Sequence, residues 1–191
     1  MINGTEKILV CCGTSCIANG ALDVAAALEA ELAARGLAGE VEVSASVVRT
    51  GCSGECEQGP IVRFMPRDLM YYRVGVKDVP AIVDSLAGEP VQKLLFKKDG
   101  QTFEHMADNP FYALQHKVVL KDVGLIDPLS LDDYIARGGY EGLKRALTMT
   151  PDEIITEVEK SGLRGKGGAG FPTGRKWRSA ASYDEWPKYI V

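Results

Sequence analysis

Over the first ninety residues the apolar positions fall into short runs and alternations that predict a mixed layer of strands and helices. Lys7–Cys12 is a short apolar run closed by a Gly-Thr-Ser turn and predicts a buried strand. Asn19 is placed to cap a helix over Ala21–Arg35, which is rich in Ala, Leu and Glu, and Gly36 supplies its left-handed stop. Val41, Val43, Ala45 and Val47 alternate with Glu42, Ser44, Ser46 and Val48, a period of two that predicts a strand. After the turn-rich stretch Thr50–Pro60 come strands at Ile61–Met65 and about Leu69–Val74, then a helix over Val79–Leu86 behind Asp78. The predicted order is β-α-β-β-β-α. Tyr71-Tyr72 falls on a strand, so one ring is expected to point inward and the other to solvent.

From Gly88 to about Leu129 the pattern weakens, and residues 91–129 are expected to form a linker. Within it Lys97-Lys98-Asp99-Gly100-Gln101 predicts the turn of a small hairpin between Leu94–Phe96 and Thr102–Phe103. Helical spacing resumes behind Ser130 with Leu131, Tyr134 and Ile135 on one face. Gly138-Gly139 interrupts it, and Tyr140–Leu147 continues as a second helix. Thr150-Pro151-Asp152-Glu153 is a strong start signal, with a cap, Pro in the first turn and acids behind it. That helix carries Ile154, Ile155 and Val158 and is predicted to stop at Gly162. The final Lys188–Val191 predicts the beginning of a strand. A helix, a glycine loop and one strand cannot close a sheet, so the second domain, 130–191, is expected to be cut short.

Composition narrows the function classes. The 191 residues are 46% hydrophobic and 25% charged, with a net charge of −4, which provides no basic footprint for nucleic acid. No apolar run approaches the roughly 20 residues that span a bilayer, so no direct membrane insertion is expected. The first seven residues lack the build of a signal peptide, which makes a cytoplasmic location the expectation and disulfides disfavoured. Trp177 and Trp186 are expected to pack the second domain, and His105 and His116 lack an evident ligand partner.

All five cysteines lie within the first 56 residues. Cys11-x4-Cys16 and Cys52-x3-Cys56 form two local pairs, each able to wrap one side of a metal centre. Thr14, Ser15, Gly51, Ser53 and Gly54 are small and let backbone amides approach the bound group. Four thiolates suit either a tetrahedral zinc or an iron–sulfur cluster. Zinc ribbons usually space each pair by two residues, so gaps of four and three favour the wider reach of a two-iron rhomb. A thiol oxidoreductase would want a Cys-x-x-Cys pair, and none is present. Neighbours on a strand point to opposite sides, so Cys11 and Cys12 cannot easily share a site. Cys11 is preferred as ligand by its longer spacing to Cys16, leaving Cys12 as a small buried hydrophobe.

Cys11-Cys12-Gly13-Thr14-Ser15-Cys16 and Gly51-Cys52-Ser53-Gly54-Glu55-Cys56-Glu57-Gln58-Gly59-Pro60 resemble the thioredoxin-like [2Fe–2S] ferredoxin family over roughly residues 6–90. Cys12 departs from the small residue usual in that family. The resemblance implies an α/β thioredoxin-like domain over 1–90, with a [2Fe–2S] cluster held by Cys11, Cys16, Cys52 and Cys56.

The second constellation is Ser161–Trp177, a glycine-dense run that carries Arg164, Lys166 and Lys176. Glycines let backbone amides turn toward an anion, and the cations add charge for phosphate oxygens. The run follows a helix and not a strand, so it is not a Rossmann fingerprint. It resembles the FMN-binding loop of the NADH-oxidising flavoprotein subunit of respiratory complex I, NAD-linked hydrogenases and formate dehydrogenases. The resemblance extends back through Leu131–Leu147. It implies an α/β FMN-binding domain with Gly165, Lys166, Gly167, Gly168 and Lys176 near FMN and Phe171 near the NAD(H) nucleotide. Lys166 stands where many relatives have Arg, which exchanges a bidentate contact for a single one.

A ferredoxin domain preceding the flavin domain in one chain is similar to the beta subunit of cytosolic multimeric hydrogenases, including the electron-bifurcating type. The implied partners are other iron–sulfur subunits of a hetero-oligomeric complex, namely a hydrogenase or dehydrogenase catalytic subunit and a small [2Fe–2S] subunit. The implied [4Fe–4S] motif and the remainder of the NADH site are not in these 191 residues, so the chain alone is expected to be inactive with NADH.

Overall fold

The computed structural model describes residues 4–38, 43–187 and 189. They divide into two units, Met1–Arg137 and Gly138–Val191.

The first unit is built on strand β1 (Gly4–Cys11), which runs parallel to β2 (Val43–Thr50) from Gly4↔Val43 to Cys11↔Thr50. A parallel pair needs a crossover, and helices α1 (Thr14–Ala18) and α2 (Ala21–Ala34) supply it. Strand β3 (Val62–Met65) lies antiparallel on the other side of β1, and β4 (Leu69–Tyr71) pairs antiparallel with β3. The sheet order is β2-β1-β3-β4, and α3 (Val79–Asp84) follows β4. This is the predicted order of elements, with α1 added.

Five residues are too few for a periodic signal, so α1 escapes sequence reading. Its presence also corrects the cap. Gly20, in the left-handed region at φ 88°, precedes α2, whereas Asn19 closes α1 by donating from Nδ2 to the Ser15 carbonyl at 3.0 Å.

Register and alternation assign the two sheet faces. Ile8, Val10, Val62, Phe64 and Tyr71 share one face and join Val24, Leu28, Leu32 and Ile82 of the helices in the buried core. Ala21, Val24, Ala25, Leu28 and Leu32 form the buried stripe of α2. Glu6, on the same face and only 1% exposed, pairs through Oε1 with Arg67 Nε at 2.5 Å. Burial pushes its carboxyl above the usual range despite that partner.

The opposite face carries Leu9, Arg63 and Met70, and here the linker expectation is corrected. Leu94, Leu95 and Tyr112 are buried in the core, and Tyr71 and Tyr72 are both buried, at 0% and 5% exposure. The reason is a covering layer. The Tyr72 ring meets Phe96 at 5.5 Å, and the Met70 and Tyr72 amides donate to the carbonyls of Glu104 and Leu94, both at 2.8 Å. The intervening hairpin pairs β5 (Phe96–Lys98) with β6 (Gln101–Phe103) around Asp99-Gly100. Both turn residues have positive φ, as a tight two-residue hairpin requires. Helix α4 (Leu131–Ala136) is capped by Ser130 as predicted, its hydroxyl accepting from Asp133 N–H at 3.1 Å. The Asp127 amide donates to Asp133 Oδ2 at 3.0 Å, so α4 stays with the first unit and the division falls after Arg137, not before Ser130.

In the second unit, α5 (Glu141–Ala146) precedes α6 (Pro151–Lys160) and α7 (Thr173–Ala181). Thr150 and Glu153 form the reciprocal capping box that the start signal implies. Helix α7 was hidden in the sequence by the glycine run. A Cβ on Gly174 would lie 2.6 Å from the Glu159 side chain, so glycine there is what lets α7 approach α6. Arg178, one turn on, bonds Glu159 and Asp152. Trp177 and Trp186 are 46% and 79% exposed, which corrects the expectation that they pack inside. His105 and His116 are exposed. The predicted terminal strand falls largely on residues outside those described. Among the described residues no helix is long and apolar enough to cross a membrane.

Two outcomes follow for stability. Leu95→Ala should cost about 2–4 kcal/mol in urea unfolding, whereas a linker position would cost nothing measurable. The second concerns Asp78, which is 3% exposed and accepts from Lys93 Nζ at 2.6 Å and the Gly75 amide at 3.0 Å. Burial opposes its ionisation, but Lys93 and that amide outweigh it and hold the carboxyl below its usual range. Its stabilisation is therefore present above the ordinary carboxylate range and is lost as pH falls through the depressed value. Asp78→Asn should flatten the acid side of the stability profile, measured by thermal melts across pH.

Candidate metal centre

Strand β1 ends at Cys11, which is 2% exposed, and the chain turns at Gly13 into α1, where Cys16 is equally buried. Strand β2 ends at Thr50 and feeds the loop that carries Cys52 and Cys56, both exposed. Because β1 and β2 are parallel and in register to Cys11↔Thr50, their C-terminal ends deliver both cysteine pairs to the same end of the sheet.

The two loops interlock. A Cβ on Gly13 would stand 2.9 Å from Cys52 Cβ and 3.2 Å from its Sγ, and one on Gly59 would stand 2.5 Å from Cys16 Sγ. Each pair therefore presses on backbone of the opposite loop, where only glycine fits. The Cys52 and Cys56 sulfurs are 3.8 Å apart. Among the described residues no three His, Cys, Asp or Glu side chains converge on a single-ion position. The thiols stand as two local pairs at one end of the sheet.

Backbone amides aim at these sulfurs. Ser53 N–H donates to Cys11 Sγ at 3.4 Å and Gly54 N–H to Cys52 Sγ at 3.3 Å. Burial works against ionising Cys11, but the Gly13 and Ser53 amides and the Cys16 thiol outweigh it and bring the thiol below its usual range. Burial, then the neighbouring Cys11, pushes Cys16 up to about 12, and burial also raises Cys52. A bound cation would reverse these costs, since thiolates are the ligating form. Cys12 is the odd thiol, half-buried against the core and raised by burial and by Cys11. The donor set, the amide dipoles and the glycine cradle fit an iron–sulfur group held by four thiolates.

A further set of residues was not legible in the sequence. Asn109, Phe111 and Val123 all reach the Cys52 loop: Asn109 Nδ2 lies 3.4 Å from Glu55 Oε2, and Cβ atoms on Gly54 and Gly51 would meet Phe111 and Val123 at 3.5 and 3.6 Å. The available signal was the Asn109-Pro110 turn dipeptide with Phe111-Tyr112 behind it.

In the second unit the glycine run is an ordered loop. Gly165 N–H donates to the Phe171 carbonyl at 2.8 Å, and Arg164 Nε donates to the Gly170 carbonyl at 2.6 Å. Phe171 and Lys176 line one cavity of about 530 Å³ with Arg175, Ser179, Ala180 and Tyr183. Gly165, Lys166, Gly167 and Gly168 are exposed and do not line it.

The parallel β1–β2 pair and the antiparallel β3–β4 extension, with their helices, form a thioredoxin-like ferredoxin fold, and residues 2–87 match the model of the thioredoxin-like [2Fe–2S] ferredoxin family. The chain is 54% identical over 77 residues to the NADP-reducing hydrogenase subunit HndC of Solidesulfovibrio fructosivorans, covering 40% of this chain and 16% of that protein. It is 53% identical over 62 residues to a subunit of the NADH-quinone oxidoreductase of Aquifex aeolicus, covering 32% and 14%. The wild-type thioredoxin-like [2Fe–2S] ferredoxin of Aquifex aeolicus aligns with 49% of this chain and 98% of its own, at 25% identity and a TM-score of 0.42. The matched stretches thus span about a seventh of the curated relatives' lengths.

Gly59→Ala should lower the melting temperature, with a cost of about 1–3 kcal/mol from overpacking against Cys16. Gly142→Ala, in helix α5 with open space around it, is the control and should leave the melt unchanged or slightly raised.

Proposed function

We propose that Cys11, Cys16, Cys52 and Cys56 hold a [2Fe–2S] cluster and that the chain is an electron-transfer part of an NAD(P)(H)-linked oxidoreductase complex. One observation carries this reading: two thiol pairs, far apart in sequence, meet across loops that only glycine at positions 13 and 59 allows. When bound, the cluster supplies one-electron chemistry. The chain's residues hold and tune it. Cys11 and Cys16 form the buried side, the Ser53 and Gly54 amides donate to sulfur and favour added negative charge, and Cys52 and Cys56 form the side nearest solvent.

We extend the reading to the second unit through the glycine run. Gly165, Lys166, Gly167, Gly168 and Lys176 are proposed to bind FMN, with Phe171 against the NAD(H) nucleotide. A flavin exchanges hydride with NAD(H) and releases single electrons. The cavity shared by Phe171 and Lys176, with Arg175 facing the Phe171 ring at 6.0 Å, supports an anionic, planar ligand there. The complex favoured by the order of domains is a cytoplasmic hydrogenase of the bifurcating type, with a catalytic subunit and a small [2Fe–2S] subunit as partners. A [4Fe–4S] centre belongs to the remainder of such a subunit.

The test is an absorption and EPR spectrum of the 191-residue protein with iron, sulfide and zinc analysis. Equimolar iron and acid-labile sulfide, with an EPR signal on reduction, is the expected result. Serine at any of Cys11, Cys16, Cys52 or Cys56 should abolish or alter the spectrum, and Cys12→Ser should not. A colourless, zinc-loaded protein overturns the reading.

A further inference from the structure

The 88–129 stretch does more than cover the sheet. Asn109 is 1% exposed, and its side chain is fully engaged. Nδ2 donates to the Tyr72 hydroxyl at 2.6 Å and lies 3.4 Å from Glu55 Oε2, while Oδ1 accepts from the Phe111 amide at 2.8 Å. One amide thereby joins strand β4's continuation, the cysteine loop and the segment that presents Phe111. The Phe111 ring meets Gly54, which sits at φ 100°, and packs edge-on against Tyr112 at 4.9 Å. Gly54 is the residue whose N–H donates to Cys52 Sγ. A continuous set of contacts therefore runs from Asn109 through Phe111 to the hydrogen bond on a proposed ligand sulfur. Val123, from farther along the same stretch, meets Gly51 at the other end of that loop. Asn109, Phe111 and Val123 all lie outside residues 2–87, the span matched by the ferredoxin family model.

We infer that Asn109 and Phe111 are positioning residues: they latch the Cys52–Cys56 loop and hold the Gly54 N–H against the Cys52 sulfur, setting the cluster's retention and reduction potential. This rests on the proposed cluster reading. A donor to a ligand sulfur stabilises the reduced, more negative cluster, so freeing Gly54 lowers the potential. Cutting the latch also opens a route for chelators to the exposed pair Cys52 and Cys56.

The test uses the 191-residue protein with its cluster, comparing wild type with Asn109→Ala, Phe111→Ala and Phe111→Tyr. Both alanine variants should titrate at a lower midpoint potential, show a changed EPR line shape, and lose iron to a chelator about 10-fold faster. Phe111→Tyr should restore wild-type values. Phe111→Ala removes only a half-exposed ring and leaves the buried Asn109 network in place, so it reports on the latch even where Asn109→Ala fails to fold. Unchanged potential, line shape and chelation rate in folded alanine variants overturn the inference. A wild-type protein with no iron and sulfide overturns the cluster reading itself, which is a separate result.

Discussion

Two missing Cβ atoms govern this molecule. At Gly13 and Gly59 the backbone of one cysteine loop lies where a side chain would collide with a cysteine of the other. Because neither position has a side chain, the loops close on each other and four thiols from two distant stretches of chain share one end of the sheet. Everything upstream serves that closure. The parallel register of β1 with β2 brings Cys11 level with Thr50, and α1 turns the chain so that Cys16 comes back over Gly59. Burial raises both Cys16 and Cys52, so it opposes the thiolate form in which they would ligate. Thiol desolvation of this kind is offset by metal ligation, which links folding of the loops to their occupant.

Much of this was written in local sequence pattern. Strand alternation, the Ala-rich helix, the Asp99-Gly100 hairpin turn and the Thr150–Glu153 capping box are all short-range signals, and each appears in the structure close to where pattern places it. The cysteine pairs are legible for the same reason, because each pair is local. What pattern could not show is long-range. Strand alternation sends one of Tyr71 and Tyr72 to solvent, whereas the 91–112 stretch leaves both buried, with Tyr72 against Phe96. Helix α7 is masked by glycines whose value lies in close approach to α6, a property of the neighbour and not of the segment. Asn109 shows nothing in sequence of its three partners, which are separated from it by 54, 37 and 2 positions.

The glycine run of the second unit illustrates a different limit. Its density of glycine and cations points to an anion, yet the backbone is already engaged in its own hydrogen bonds around Arg164, Gly165 and Phe171. Phe171 and Lys176 line one cavity, and Gly165, Lys166, Gly167 and Gly168 do not line it. Composition predicts an anionic ligand, whereas the loop's internal bonding limits which amides are left to meet one.

The covering stretch has one more consequence, for how the sheet can meet other chains. Strand β4 is last in the sheet order, and an edge strand offers unpaired amides and carbonyls to any extended peptide. Here the amides of Met70 and Tyr72 are taken by Glu104 and Leu94, and Leu69 bridges to His105. The chain has in effect supplied its own additional strand. Strand-to-strand annexation along β4 is therefore closed, and any chain docking on that side would have to be recognised through side chains and shape instead of backbone pairing.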